Sequence, residues 1–172
     1  MTLAAALLLT SIVGWAIVEA LTASHEPQER LPRELATGLA LFAIHAVGLA
    51  EHLVRGGGTE LPALAVGSSL IVAGIALRIA AIRALGPRFV SSCTVDRVIT
   101  SGPYRWMHHP SEVGLLATAA GAALLLDSAI AATIAAVVLV PLSALRCHAE
   151  DLRLTADQGS TRSTRLPSMS TK

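Results

Sequence analysis

The chain has 172 residues, of which 53% are hydrophobic and only 15% are charged, and its mean hydropathy is +0.62. Soluble domains carry about 25% charged residues, so this composition indicates one membrane-embedded domain rather than an ordinary soluble one. The formal net charge of +1 does not favour a nucleic-acid partner, and two cysteines give no disulfide framework.

The first apolar block runs from Leu3 to Thr22, close to the length of about 20 residues that a spanning helix needs. A cleaved signal peptide is the alternative, because Leu21-Thr22-Ala23 fits a cleavage site. The block has no basic segment before it, and Glu19 interrupts it, which favours a retained helix. A polar loop containing Pro27 and Pro32 follows.

Four more apolar blocks follow, which predicts an all-α, polytopic bundle of about five transmembrane helices. They are Leu35–Val54, Leu61–Leu85, Ser111–Leu126 and Ser128–Leu145. The last two are each short for a span and flank Asp127, so we expect a tight helical hairpin whose second arm is distorted at Pro141. Arg78 and Arg83 lie near the end of the third block, where long side chains can reach the interface.

Polar segments close the chain. His148 to Asp157 predicts a short C-terminal helix that continues into the aqueous phase. Gln158 to Lys172 is rich in Ser and Thr without hydrophobic periodicity, which predicts a disordered tail. We therefore expect one membrane domain over residues 1–157 and a polar tail over residues 158–172.

The basic residues orient the predicted bundle. With the amino terminus outside, Arg55 is in an outer loop and Arg78 is within a span, while the other basic residues fall on the inner side. Lysine and arginine concentrate on the cytoplasmic side of membrane proteins. The pattern predicts a bacterial inner-membrane protein whose carboxyl terminus and long polar loop, Gly86–Pro110, are cytoplasmic.

The densest cluster of chemically capable side chains is Ser101–Gly114, which reads SGPYRWMHHPSEVG. Gly102 permits an unusual backbone angle and Pro103 fixes the next one, so a rigid turn gives Tyr104 a defined direction. The alternative is an ordinary loop with an interfacial aromatic anchor.

His108-His109-Pro110 predicts the start of the fourth helix, because proline suits a first helical turn. The exposed N–H groups there favour a carboxylate or phosphate; the alternative is a helix start with surface histidines. His109 and Glu112 are three residues apart and share a helix face, but six histidines are too few for a membrane di-iron enzyme. We predict no metal, with a metal-dependent enzyme as the weakest alternative.

Two further polar groups stand out. His45 and His52 lie on one face of the second helix with Glu51 nearby, where a functional role and hydrogen-bonded packing are both open. Glu150-Asp151, just beyond the last span, suits a cation, a ribose diol or an amine. A solvated, charged helix turn is the alternative for this acidic pair.

The order of these parts resembles the isoprenylcysteine carboxyl methyltransferase family and its phospholipid methyltransferase relatives. An arginine-rich helix end precedes Asp96 to Arg105, which contains Gly-Pro-Tyr; His109-Pro110, Gly114, an apolar hairpin and Glu150-Asp151-x-x-Leu154 follow. The resemblance covers about residues 78–154 and implies methyl transfer from S-adenosylmethionine to a lipid-borne acceptor at the cytoplasmic membrane face.

The resemblance also implies roles for single residues. Those that would bind the methyl donor are Gly102, Pro103, Tyr104, His109, Pro110, Gly114, Glu150, Asp151 and Leu154. The expected partners are a lipophilic small molecule and membrane lipid, and no catalytic residue is assigned.

Three departures from the family pattern concern the acceptor. His108 stands where the family has an arginine, and Glu112 where it has a tyrosine; beyond Leu154 the family's aromatic residues are replaced by polar ones. These changes make His108, Glu112 and Arg105 the candidate acceptor-binding residues. The acceptor's head group, a carboxylate, hydroxyl or amine, stays open, and a non-catalytic membrane protein is the alternative.

Overall fold

The computed structural model of the chain describes residues 3–23, 31–85 and 101–163, and these parts are all-helical. The side chains of residues 18–23, 31–35, 153–154 and 156–163 fall outside that description. The helices are α1 (Leu3–Ala23), α2 (Leu31–Val54), α3 (Leu61–Leu85), α4 (Pro110–Leu125), α5 (Ala129–Ile134) and α6 (Val140–Ser163). A 3-10 turn covers Gly102–Arg105, and a π turn over Ala135–Leu139 joins α5 and α6 into one continuous helix, termed the long helix.

The predicted polytopic helical bundle is confirmed. Three segments are long and apolar enough to cross a membrane: Ala36–Val54, Leu61–Leu85 and Ala129–Leu152. The shorter apolar helices are Leu3–Ile17 and Pro110–Leu125. The second arm of the hairpin is longer than the sequence predicts, because the long helix runs on through the expected end at Leu145.

The outward surface of the bundle is apolar. Leu39, Phe42 and Val72 are each about two-thirds exposed, and Val137 on the long helix is 67% exposed. Contiguous exposed apolar surface is uncommon on soluble monomers. Hydrocarbon chains are the environment that such a surface suits.

Helices α3 and α4 are in close backbone contact along a seam of glycines. A Cβ added at Gly74 would lie 2.5 Å from the Gly114 carbonyl oxygen, and one at Gly67 would lie 2.8 Å from the Gly121 oxygen. Small residues at such crossings let helix backbones approach in membranes. Gly114 therefore allows close packing of α4, and its partner is α3.

Helices α1 and α2 cover this pair. Trp15 of α1 and Ile44 of α2 belong to one buried apolar cluster with Leu115 of α4 and Leu139 of the long helix. His45 lies beside that cluster, is 3% exposed, and donates from Nδ1 to the Leu41 carbonyl at 2.7 Å.

The distortion predicted at Pro141 takes the form of the π turn. The Val140 N–H bonds to the carbonyl of Ala135, five residues back. Pro141 has no N–H and its ring crowds the carbonyl four residues earlier, so the regular ladder cannot continue through it. A π turn is a known way for a helix to absorb such an interruption.

Side chains from the end of α2 and the turn after it secure the turn between α4 and α5. We call this region the capped end: Glu51, His52, Arg55, Thr59 and residues 125–130. His52 Nδ1 donates to the Leu126 carbonyl (3.1 Å), Arg55 to the Asp127 carbonyl (3.2 Å), and Thr59 to the Leu125 carbonyl (3.1 Å). These carbonyls at the end of α4 have no partner inside the helix.

Glu51 completes the capped end at the start of α5. Ser128 Oγ donates to Glu51 Oε2 and accepts from the Ala131 N–H, while the Ile130 N–H donates to Glu51 at 3.2 Å. Asp127 between the two helices has φ of 48°, the left-handed conformation that a tight turn requires. His52 thus has a hydrogen-bonded packing role, one of the two roles left open by the sequence.

Two boundaries differ from expectation. Helix α2 begins at Leu31, so Pro32 lies in its first turn instead of in a loop, a position that suits proline. Helix α6 extends to Ser163, so residues 158–163 are helical where the sequence predicts disorder. Residues 164–172 and the loop 86–100 lie outside the described residues.

Candidate functional site at the charged end

The opposite end of the helices gathers charged and aromatic side chains from three helices and the 3-10 turn. We call it the charged end, and its members are Arg78, Tyr104, His109, Glu112, Arg146, Glu150 and Asp151. The sequence predicts five of these seven as site residues, and it does not single out Arg78 or Arg146 for a role there.

A rigid turn positions Tyr104. Gly102 has φ of +58°, a region that favours glycine, and a Cβ there would lie 3.1 Å from the Cβ of Ala84 on α3. Ser101 before it is extended, and Pro103 begins the 3-10 turn. The unusual backbone angle expected at Gly102 is therefore observed, and it places Tyr104, half-buried, against the end of α3.

His109 joins the beginning of α4 to α6. Its Nδ1 lies 3.4 Å from Glu150 Oε2, and its Nε2 lies 3.1 Å from Asp151 Oδ1. These residues are about 40 positions apart in sequence, brought together by the hairpin. His109 is the N-cap of α4 and lies outside the helix proper, so it does not share a helix face with Glu112 as the sequence predicts.

Arg146 links Glu112 to Glu150. Its Nη1 lies 3.3 Å from Glu112 Oε1, and its Nε lies 3.5 Å from Glu150 Oε1. The carboxylate of Glu112 is 7% exposed, whereas that of Glu150 is 43% exposed. A buried charge needs a partner of opposite sign, and Arg146 supplies it. The spacing of four residues from Glu150 was the available sequence signal for Arg146.

Arg78 is buried, which corrects the expectation that it reaches the interface. It is 4% exposed, donates from Nη1 to Ser111 Oγ at 2.6 Å, and lies 4.8 Å from the centroid of the Trp15 ring. A cation over an indole ring is attracted by the ring's negative face. The sequence signal for this inward position is an arginine within an apolar helix, because a charged side chain there usually faces the bundle interior.

The pKa of Tyr104 reports how these groups converge. Burial raises the pKa of this phenol to about 12, with Glu150 and Glu112 adding to the rise and Arg78 and Arg146 opposing it. All four charges therefore act on one hydroxyl. Tyr104 is therefore a neutral phenol at physiological pH.

The start of α4 has the features expected of an anion-binding helix end. Pro110 is the first residue, and His109 makes no side-chain hydrogen bond to cap the helix. The first N–H groups of a helix have no intrahelical acceptor, and the helix dipole favours negative charge there. Glu112 in this first turn is itself stabilised by that field.

Two of the predicted residues, Arg105 and His108, are not brought into this cluster. The Arg105 side chain is exposed, and its guanidinium carbon lies 5.7 Å from the centroid of the Trp106 ring. His108 is also exposed. The backbone of Leu154 belongs to α6, but its side chain lies outside the described residues. The Asp96 to Thr100 part of the predicted motif is also outside them.

No group of three His, Cys, Asp or Glu side chains that could hold a metal ion occurs within residues 3–23, 31–85 and 101–163.

Residues 66–156 match the model of the isoprenylcysteine carboxyl methyltransferase family, which is more than half of the chain. The chain belongs to this family. No curated protein and no solved structure matches the chain significantly.

The matched span begins in α3 and ends in α6, so it contains every member of the charged end. Family membership confirms the resemblance that the sequence shows, and together with the three long apolar helices it identifies an integral membrane protein. It indicates membrane methyltransferase activity.

Proposed function

We propose that this protein transfers a methyl group from S-adenosylmethionine to a small lipophilic acceptor at the cytoplasmic face of the membrane. The observation that carries the proposal is the junction of His109, at the start of α4, with Glu150 and Asp151 of α6. This junction joins the two halves of the predicted donor site across the hairpin.

The chemistry of the charged end fits the methyl donor. Its ammonium and ribose hydroxyls are hydrogen-bond donors, and the carboxylates of Glu150 and Asp151 are acceptors that remain 43% and 58% exposed. Its carboxylate suits the uncapped start of α4 at Pro110. In this assignment His109 orients the two carboxylates.

The remaining residues assigned to the methyl-donor site determine its shape. Gly102 and Pro103 set the turn that presents Tyr104, and Gly114 lets α4 approach α3. The family resemblance assigns Leu154 to the adenine. When bound, S-adenosylmethionine supplies an electrophilic methyl group. The chain's own contribution is to hold donor and acceptor in register and to exclude water, which together provide a large part of the rate in such transfers.

The location follows from the solubilities of the two reactants. The donor is a water-soluble cation, and the acceptor is held in lipid. The charged end lies on the side that the basic residues assign to the cytoplasm, and the apolar outer surface of the helices gives a lipid-borne acceptor lateral access.

The test is calorimetric titration of the purified protein in detergent with S-adenosylhomocysteine, the product form of the donor. The intact protein is expected to bind it. His109→Ala removes the group that holds both carboxylates, and we expect affinity to fall by about tenfold or more, the equivalent of one charge-assisted hydrogen bond.

His108→Ala is the matched control, because this neighbouring histidine is exposed and belongs to the acceptor candidates; donor affinity should not change. Absence of binding by the intact protein would contradict the methyltransferase proposal and favour the non-catalytic alternative. Binding that His109→Ala leaves intact would retain the activity and displace the assigned site.

A further inference from the structure

Among the described side chains of α4 and the long helix, two buried polar atoms at or beside the charged end lack hydrogen-bond partners. They are Glu112 Oε2 and Ser143 Oγ, in residues that are only 5% and 3% exposed. Burying a polar atom without a partner costs about 1–3 kcal/mol, and native proteins leave few such atoms. Unsatisfied groups of this kind inside a candidate site point to a ligand that satisfies them.

The Glu112–Arg146 contact and helical spacing place these two groups near each other, where α4 meets the long helix. Glu112 Oε1 contacts Arg146, which leaves Oε2 as the unpaired oxygen. Ser143 precedes Arg146 by three residues, and residues at that spacing lie on one side of a helix. Ser143 is therefore one turn from the Arg146–Glu112 contact, on the side of the long helix that meets α4.

An apolar groove begins about one helical turn from this pair and runs to the capped end, where Arg55, Asp127 and Ser128 line it. It has a volume of about 590 Å³ and lies between α4 and the long helix, with walls formed by small and aliphatic side chains such as Ala120, Ala132 and Ala136. Its residues nearest the charged end are Leu116 and Val140. Each is about one helical turn from Glu112 or Ser143, respectively, and residues at that spacing lie on the same side of a helix.

A hydrophobic groove that ends one helical turn from two unsatisfied polar atoms suits an amphiphile. Its volume lies within the range of roughly 300–1,000 Å³ that small-molecule pockets occupy. The hydrocarbon part of a lipid matches the alanine walls, and the polar head then lies at Glu112 and Ser143. A plain lipid-facing groove would not require buried polar atoms at its end.

The chemistry of the unpaired atoms selects the head group. An ionised carboxylate only accepts hydrogen bonds, whereas a serine hydroxyl both donates and accepts. A hydroxyl or an amine donates to Glu112 and exchanges a hydrogen bond with Ser143. A carboxylate head would place a second negative charge beside Glu112 in a region of low dielectric, which is strongly unfavourable.

We propose that Glu112 and Ser143 are the acceptor's head-group subsite and select a lipid that bears a hydroxyl or an amine over one that bears a carboxylate. This inference rests on the proposed methyltransferase function and names the substrate class of the same site. It assigns Glu112, which stands where the family has a tyrosine, as a specificity-determining residue.

The test compares three amphiphiles of equal chain length: dodecanol, dodecylamine and dodecanoate. Native mass spectrometry of the full-length protein, released from detergent, measures the bound fraction of each. We expect dodecanol and dodecylamine to bind about tenfold more tightly than dodecanoate, the ratio that one hydrogen bond to a charged group supplies. Equal binding of the three, or preferential binding of dodecanoate, overturns the inference.

Three variants distinguish contacts to the head group of the amphiphile from contacts to its hydrocarbon tail. Glu112→Gln should reduce the preference to about twofold or less, because the amide carries no charge to repel the carboxylate. Ser143→Ala, which leaves the Glu112–Arg146 pair intact, should weaken dodecanol and dodecylamine alone. Ala136→Phe fills the groove from an exposed position and should weaken all three equally. A preference unchanged in both Glu112→Gln and Ser143→Ala also overturns the inference.

Titration of the same samples with S-adenosylhomocysteine distinguishes the two proposals. If the protein binds S-adenosylhomocysteine but shows no preference among the three amphiphiles, the methyltransferase proposal is retained and the head-group selectivity is rejected. Preference without product binding leaves a lipid-binding subsite and removes the methyl transfer.

Discussion

The two ends of the bundle differ in whether their polar groups have hydrogen-bond partners. At the capped end, three carbonyls that α4 cannot satisfy receive donors from His52, Arg55 and Thr59, and Glu51 closes the start of α5. At the charged end, Glu112 and the adjacent Ser143 have buried atoms without partners, and the carboxylate of Glu150 is partly exposed to solvent.

This difference separates a stabilising role from a binding role. Each hydrogen bond at the capped end contributes about 0.5–1.5 kcal/mol net, and no polar atom there needs a ligand to be satisfied. The charged end carries the cost of unsatisfied groups, which a bound ligand recovers. An apolar groove runs along α4 from the capped end as far as Leu116.

The largest expected effect comes from the glycine seam that holds α4, and with it both ends, against α3. In Gly74→Ala the new Cβ would lie 2.5 Å from the Gly114 carbonyl oxygen and 2.5 Å from Thr118 Oγ1. We expect a loss of about 1–3 kcal/mol in the free energy of unfolding, the usual cost of overpacking. The measurement is the thermal midpoint in detergent.

Gly38→Ala is the matched control, because a Cβ there meets nothing within 4 Å. Alanine is the better helix former by about 1 kcal/mol, so this variant should be as stable as the parent or slightly more so. Equal midpoints for the two variants would mean that α3 and α4 are not in backbone contact.

A smaller effect concerns the pH dependence of the charged end. Tyr104 titrates at about 12 instead of 10, so between those pH values the unfolded chain loses its phenol proton while the folded chain keeps it. Stability is therefore unaffected below about pH 10 and falls as pH rises toward about 12. Tyr104 is the only tyrosine, so phenolate absorbance reports its titration directly.

The charges around Tyr104 predict pKa shifts of opposite sign in two variants. Glu150→Gln removes a negative charge and should lower the pKa of Tyr104, whereas Arg146→Gln removes a positive charge and should raise it. The capped-end variant Thr59→Ala should leave the titration unchanged. Shifts of the same sign in both charged-end variants would show that the side chains do not converge on the phenol.

Much of the fold could be predicted because local signals mark it. Apolar blocks located the helices, Gly102-Pro103 marked the turn that presents Tyr104, and Pro141 marked the π turn. The end of α6 was misjudged: residues 158–163 lack apolar periodicity, yet the helix continues through them. Adding a residue to an existing helix costs less free energy than nucleating a new helix.

The pairing within the site was harder to predict. No local pattern joins His109 to Glu150 and Asp151, and only the resemblance to a known family indicated that they belong together. The same limit hid the contact of Glu51 with Ser128, which spans 77 positions. Arg78 was misplaced because a long side chain near a helix end can either reach the interface or turn inward, and Trp15 on another helix decides between them.

The most direct test of the separation between the two ends uses matched isosteric variants. Glu51→Gln at the capped end and Glu150→Gln at the charged end are compared by thermal midpoint and by calorimetric titration with S-adenosylhomocysteine. We predict that Glu51→Gln lowers the midpoint and keeps product affinity within about twofold, while Glu150→Gln keeps the midpoint and weakens binding about tenfold or more. Product binding by Glu150→Gln as tight as in the parent protein, or its loss in folded Glu51→Gln, would contradict the account.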